Sequence, residues 1–201
     1  MENSARSERT RNAAIQAALT IIARDGPGRL TLDAIAREGG LSKGALMHQF
    51  RTKEAVLKAL LEYQNDYLEK FSEHYLATTG VGKSEPQLSA QIETMREATT
   101  NPITVASAFL GVVAEDPALF AKVREIDAQK VELLKAEAAD PDLATLRWAA
   151  ARGLAVTAML GFCPLSEEVR TRLFDRLLDS ERWPAPAKAG KTVSDRKRAK
   201  G

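Results

Sequence analysis

The chain has 201 residues, of which 44% are hydrophobic and 28% are charged, a composition typical of a globular protein with a sizeable core. No run of about 18 uninterrupted apolar residues predicts a transmembrane helix, and the first residues lack the apolar stretch of a signal peptide. Cys163 is the single cysteine, which excludes an internal disulfide, and two histidines are too few for a histidine-rich metal site. We therefore expect a cytoplasmic protein that holds no metal or other cofactor and does not associate with a membrane.

The net charge of +2 is unevenly distributed. Residues 1–53 carry a balance of +4, residues 54–183 a balance of −7, and residues 184–201 a balance of +5. Positive segments attract a polyanion, whereas the acidic middle would face away from one. The terminal segment, rich in Pro, Ala and Lys, is typical of disorder. It either adds phosphate affinity or is simply a solubilising end.

Hydrophobic periodicity predicts an all-α fold of about nine helices, because apolar residues recur at helical spacing and Gly and Pro lie at boundaries. Ser, Thr, Asp or Asn residues precede several of the predicted starts, where they can cap a helix. The predicted helices span about residues 7–24, 32–38, 43–50, 53 to beyond 71, 86–98, 102–113, 117–138, 141–162 and 167–182. We divide the chain into a first domain (1–52), a larger helical second domain (53–183) and a tail (184–201).

The segment from Leu30 to Lys53 reads as two short helices joined by a turn at Gly39 and Gly40. This is the pattern of a helix-turn-helix, whose second helix lies in the DNA major groove. A preceding helix at suitable distance and a positive local charge favour this reading over a plain helical hairpin. The apolar residues that would clamp the helix pair are Ile35, Ala36, Leu41, Leu46 and Phe50.

The second helix of this pair would face the DNA with its polar and small residues. Lys43 can reach a phosphate or a guanine edge, Ala45 can touch a thymine methyl group, and Gln49 has the donor and acceptor that adenine requires. Small residues also let the backbone approach DNA closely, and hydroxyl groups at the helix starts can bind phosphates. The predicted DNA-binding residues are Thr31, Ser42, Lys43, Gly44, Ala45, Met47, His48, Gln49 and Lys53.

Three runs in the first third of the chain resemble the TetR family of bacterial transcriptional regulators. They are A-A-L-x-x-I-A-x-x-G at 17–26, L-T-L-x-x-I-A at 30–36, and L-S-K-G-A-L at 41–46, followed by Phe50 and Lys53-Glu54. The resemblance implies a three-helix DNA-binding head, a fourth helix that connects it to a helical regulatory body, and a homodimer. It also implies repression of transcription until a small molecule binds.

Two positions depart from the family pattern. Met47 stands where a phosphate-contacting tyrosine is common, and Gln49 stands where an aromatic residue or histidine is frequent. Methionine cannot donate a hydrogen bond to phosphate. Either the phosphate contact is weaker here, or Met47 makes an apolar contact with a base or a sugar.

The predicted helix over residues 141–162 has a side of small residues and an opposite side that is larger. The small side allows another helix to approach closely, and with the helix that follows it predicts a four-helix dimer interface. The alternative is packing within one subunit. The predicted interface residues are Ala150, Gly153, Thr157, Gly161, Leu173 and Leu177.

The opposite side of the same helix predicts an effector pocket, although an ordinary core is the alternative. Arg152 on this apolar side needs a partner, which is either a carboxylate of the body or an acidic effector. The predicted pocket residues are Tyr67, Phe71, Met95, Phe109, Trp148, Arg152 and Met159.

These features favour a ligand-responsive regulator, most simply a homodimeric repressor that leaves a palindromic double-stranded DNA operator when an unidentified small molecule binds. An enzyme is a weaker reading, because the chain shows no Ser/His/Asp set, no catalytic carboxylate pair in a known motif and no phosphate loop. A third reading is a protein-interaction module with a vestigial helix-turn-helix.

Overall fold

The computed structural model describes residues 2–100 and 117–183. Within these ranges the protein has eight α-helices, two short 3-10 turns at Pro27–Arg29 and Ser180–Arg182, and no strand, which confirms the all-α prediction. The predicted helix 102–113, with Phe109, and the tail 184–201 lie outside the described residues. The helices are α1 (Glu2–Asp25), α2 (Leu32–Glu38), α3 (Lys43–Gln49), α4 (Lys53–Ala77), α5 (Pro86–Thr100), α6 (Pro117–Glu137), α7 (Pro141–Met159) and α8 (Glu167–Leu178).

Capping side chains start most of these helices at the predicted places. Thr31, Ser42, Thr52, Asp140 and Ser166 each accept a hydrogen bond from the backbone N–H three residues later. Such caps satisfy N–H groups that the helix itself leaves unpaired.

Helix α7 ends three residues before the predicted position. Gly161 has φ +77°, in the left-handed region, and the next N–H groups, of Phe162 and Cys163, turn back to the Thr157 carbonyl oxygen. A left-handed glycine just after the last turn is a common helix terminator. Helix α8 also ends earlier than predicted, at Leu178, and the 3-10 turn at Ser180–Arg182 follows it.

The first four helices enclose one apolar core, which we call the head core. Ile15 and Ile22 of α1, Leu46 of α3 and Leu60 of α4 are almost fully buried in it. Of the predicted clamp residues, Ile35, Ala36, Leu46 and Phe50 are buried and Leu41 packs against them. The head core therefore fixes α3 by one side and leaves its other side facing outward.

Helices α5 to α8 enclose a second apolar core, the body core. Its buried members are Leu88, Ile92, Leu134, Ala144, Ala151, Ala155, Phe174 and Leu177. Two polar contacts close its ends. Arg147, 2% exposed, donates hydrogen bonds to the Leu177 carbonyl oxygen and forms an ion pair with Glu85. The Glu137 carboxylate accepts the N–H groups of Gln87 and Leu88 at 3.0 and 2.9 Å.

Helix α4 runs from the head core to the body. On the head side, Glu62 pairs with Arg11 of α1 at 3.1 Å. Farther along, Tyr67 donates a hydrogen bond to Glu97 of α5 at 2.6 Å, and Glu69 pairs with Lys130 of α6 at 3.4 Å. Helix α4 is therefore in contact with both the head and helices α5 and α6 of the body.

Candidate functional site

The turn between α2 and α3 depends on two glycines for different reasons. Gly40 has φ +61°, which side chains disfavour, and a Cβ atom there would meet nothing. At Gly39 a Cβ would come within 3.2 Å of the Ile35 carbonyl oxygen and 3.3 Å of the Ala17 Cβ. The turn thus bends sharply while it lies close against α1, and this sets the angle at which α3 is presented.

The outward side of α3 carries Gly44, Met47 and His48, all exposed, with Ala45 half-buried at its edge. Leu46 and Phe50, on the opposite side, are buried. Met47 is 45% exposed, although it is a large apolar residue. The exposed side therefore combines one flexible apolar side chain, one imidazole and a glycine.

Three of the predicted DNA-binding side chains already have partners within the head. The Gln49 amide donates a hydrogen bond to the Ser7 hydroxyl of α1 at 2.6 Å. The Lys53 ammonium group lies 3.5 Å from the Pro27 carbonyl oxygen, and Lys43, 70% exposed, pairs with Asp33 at 3.1 Å. Gln49 is therefore turned toward α1, whereas Lys43 is open to solvent and can exchange its partner for a phosphate.

The hydroxyl groups of Thr31 and Ser42 accept the Ala34 and Ala45 N–H groups at 3.1 and 3.2 Å. A hydroxyl that accepts a hydrogen bond still has its own proton to donate. Both residues are exposed, so both can donate to a phosphate oxygen without loss of the cap.

Gly44 has no structural explanation within the chain. Its φ is not positive, and a Cβ atom there would meet no heavy atom within 4 Å. Glycine inside a helix is less stable than alanine by about 0.5–1 kcal/mol. The contacts within the chain therefore do not require glycine at this position.

Helices α6 and α7 form an open cleft of about 510 Å³ in the body. Two of the predicted pocket residues, Trp148 and Arg152, line it with α6 residues that sequence reasoning missed, which are Val123, Arg124, Asp127, Ala128, Val131 and Glu132. Arg152 pairs with Asp127 at 2.6 Å, and its guanidinium carbon lies 5.4 Å from the Trp148 ring centre. Of the two partners predicted for Arg152, the structure places a body carboxylate beside it.

The other predicted pocket residues within the described ranges do not line this cleft. Tyr67 is exposed, and the pKa of its hydroxyl is raised because it donates to Glu97. Met95 packs against the body core, while Phe71 and Met159 are half-buried elsewhere.

Helices α7 and α8 border a second open space, of about 640 Å³, which we call the α7–α8 groove. Five of the predicted interface residues line it: Ala150, Gly153, Thr157, Leu173 and Leu177. Gly161 is exposed beyond the end of α7 and does not line the groove. Cys163 does, and the pKa of its thiol is lowered, mainly by the Leu165 N–H and then by the Thr157 hydroxyl.

Two family models match the chain. One, described as bacterial regulatory proteins of the tetR family, matches residues 14–60. The other, described as a tetracyclin repressor-like C-terminal domain, matches residues 85–181. Together they account for more than two thirds of the chain. The chain belongs to the TetR family. It is therefore a TetR-family transcriptional regulator, as the runs at 17–26, 30–36 and 41–46 predicted.

A curated relative is the HTH-type transcriptional regulator SrpR of Pseudomonas putida, 38% identical over 68 residues, which are 34% of this chain and 32% of the relative. The match thus spans about a third of that relative's length. A transcriptional regulator from Rhodococcus sp. Rha1 is similar in structure, at 19% identity, 84% and 93% coverage of the two chains and TM-score 0.59. The multidrug binding protein EbrR complexed with imidazole is also similar, at 21% identity, 90% and 98% coverage and TM-score 0.51. Identities this low support the TetR fold alone.

Residues 2–100 and 117–183 contain no cluster of three or more His, Cys, Asp or Glu side chains that could hold a metal ion. Across the same residues, no helix combines the length and hydropathy that a bilayer crossing requires.

Proposed function

We propose that this TetR-family protein is a homodimeric repressor that binds a palindromic operator through α3 and leaves it when a small molecule binds the body. It would act in the cytoplasm, where the chromosome lies. The observation that carries the proposal is the outward side of α3, held by the head core and exposed at Gly44, Met47 and His48. The local charge of +4 over residues 1–53 supports contact with phosphates.

The α7–α8 groove supports the dimer. Gly153 lies in the middle of α7, its φ is not positive, and a Cβ there would meet nothing within 4 Å. As at Gly44, the chain itself gives no reason for a residue that weakens a helix. A second copy of α7 and α8 packed in the groove would provide a reason for glycine at position 153, because small residues let helices approach closely. Two α3 helices could then enter successive major grooves about 34–36 Å apart.

The cleft between α6 and α7 supports the effector site. A ligand that stacks on Trp148 would compete with Arg152 for the ring and for Asp127. Lys130 lies three residues farther along α6 and pairs with Glu69 of α4. Ligand binding could therefore shift α6, and with it the angle of the head. EbrR, a relative in fold, is complexed with imidazole, which is consistent with a small-molecule site in this class of body.

The test is a selection of bound sequences from random double-stranded DNA, followed by affinity measurements on the enriched duplex. We expect an enriched palindrome and an affinity that falls steeply with salt. Lys43→Ala should weaken binding and lower the salt slope by about one. Lys83→Ala, which removes an exposed cation in the loop before α5, is the matched control and should leave the affinity unchanged.

Absence of enriched DNA at low salt would contradict the proposal and favour the protein-interaction module instead. Equal affinity for the selected duplex and for unrelated duplexes would contradict recognition of a specific operator. Phosphate binding that does not depend on sequence cannot direct a repressor to one site.

A further inference from the structure

We propose that Met47 determines the specificity of α3 by reading the 5-methyl groups of thymines in each operator half-site. This inference rests on the proposed DNA-binding function and names the chemistry that the helix recognises. Met47 is 45% exposed and lies on α3 between the outward Gly44 and the buried Phe50, three residues from each. At 3.6 residues per turn it lies roughly 60° around the helix from Gly44.

The chemistry of the side chain restricts what it can contact. Methionine has no hydrogen-bond donor, and its thioether is a weak acceptor, so neither a phosphate oxygen nor a polar base edge pairs with it. In the major groove, the thymine methyl is the apolar group that the base edges present. An exposed thioether that meets this surface is therefore stabilised where a thymine lies beneath it.

The neighbours of Met47 increase the weight of this contact. Gln49, the side chain best suited to adenine, is hydrogen-bonded to Ser7, and Lys43 is paired with Asp33. Gly44 has no side chain that would keep the helix away from the bases, and nothing in the chain requires glycine there. Because Gln49 is held by Ser7, Met47 and His48 are the larger side chains of the outward side of α3 that remain to contact base edges.

The experiment replaces the selected thymines by uracil, which differs by the 5-methyl group alone. Affinities for the thymine and uracil duplexes are compared by fluorescence anisotropy at fixed salt. Burial of one methyl-sized group contributes about 0.8 kcal/mol, so we expect the unmodified protein to bind about fourfold more weakly for each contacted methyl that is removed. Uracil at thymines outside the half-site contact should have no effect.

Met47→Ala provides the coupled measurement. We expect it to bind the thymine duplex at least about fourfold more weakly and to lose discrimination between thymine and uracil. Val81→Ala removes an exposed apolar side chain between α4 and α5, 72% exposed, and should keep the discrimination. Because Met47 is exposed, its replacement should leave the thermal unfolding midpoint unchanged, which separates lost readout from lost folding.

Equal affinity of the unmodified protein for the thymine and uracil duplexes would overturn this inference. The proposed binding of the selected operator would not be affected by that result. A Met47→Ala variant that weakens both duplexes equally would also overturn the inference, and would assign Met47 to a sugar. If no DNA is enriched in the selection, the proposed function fails, and this inference fails with it.

Discussion

At the scale of single residues, the buried charge of Arg147 is stabilised by contacts with two separate parts of the body. Its guanidinium group donates to the Leu177 carbonyl oxygen from Nε at 2.9 Å and from Nη2 at 2.6 Å, and Nη1 pairs with Glu85 at 2.5 Å. These contacts join the last turn of α8 to the segment before α5. A buried charge is tolerated when its hydrogen bonds are satisfied, as they are here.

Loss of this side chain should be costly. Arg147→Ala leaves the Leu177 carbonyl oxygen and Glu85 without their partner, and we expect the free energy of unfolding to fall by about 3–5 kcal/mol. Urea denaturation measures the change. Arg172→Ala, which removes an exposed pair with Glu168, is the matched control and should change stability by less than about 0.5 kcal/mol. Equal midpoints for the two variants would contradict the structural role of Arg147.

A second prediction at this scale concerns Asp33, which pairs with Lys43 beside the outward side of α3. Both side chains are about two-thirds exposed, so the pair itself adds little stability. Asp33→Asn frees Lys43 and removes a negative charge near the phosphates. We expect tighter binding to the selected operator, measured by anisotropy at low salt. Asp142→Asn, an equal change of net charge at the start of α7, should leave the affinity unaltered; equal tightening in both variants would indicate a net-charge effect alone.

At the scale of elements, the glycines of the α2–α3 turn are not equivalent to glycines elsewhere in the head. Gly40→Ala forces a side chain into the left-handed region, and we expect a loss of about 1–2 kcal/mol in the free energy of unfolding. Gly28→Ala is the control, because Gly28 has no positive φ and a Cβ there meets nothing. A stability of Gly40→Ala that matches the control would show that α3 is not held by this turn.

Helix α7 offers a test in which stability and association move in opposite directions. Gly153→Leu replaces a weak helix former with a strong one and should stabilise α7 by about 0.5–1 kcal/mol. In the proposed dimer the same side chain enters the α7–α8 groove, so the dimer should dissociate at higher concentration. Sedimentation at several concentrations measures this. Ala23→Leu, at an exposed position of α1 in the head, should leave association unchanged. A Gly153→Leu dimer of unaltered affinity would contradict an interface in the groove.

The sequence predicted most helix starts, because a capping side chain and a proline are local signals that need no tertiary context. It extended α7 past its true end because Gly161 was assigned to the small side of the helix. A glycine near the end of a helix is also a common termination signal, and Gly161 adopts the left-handed conformation of such a terminator. The α6 side of the cleft could not be predicted, since periodicity shows that α6 has an apolar side but not which helix it faces. Gln49 was predicted to contact DNA because its amide matches the donor and acceptor of adenine. Its hydrogen bond to Ser7 could not be predicted, since periodicity does not show which side chains of α1 and α3 meet.

At the scale of the whole molecule, the lone thiol reports on association. Cys163 lines the α7–α8 groove, and its pKa is lowered, so a reactive thiolate forms at lower pH than for an ordinary cysteine. If two copies cover the groove, alkylation by iodoacetamide should slow as protein concentration rises. In Gly153→Leu the rate should lose this dependence. An alkylation rate that stays constant over the concentrations at which the unmodified protein passes from monomer to dimer would contradict the proposed interface.

The Glu137 carboxylate that caps α5 has a consequence for the order in which the protein acquires its structure. The first N–H groups of α5 are capped by a carboxylate that lies about 50 residues later in the chain. The head core, by contrast, is complete once residue 60 has been synthesised. Because synthesis proceeds from the amino end and near contacts form fastest, the head can fold on the ribosome while the body is still an open chain. The nascent chain would then present α3 before it has the helices that we propose for dimerisation and effector binding.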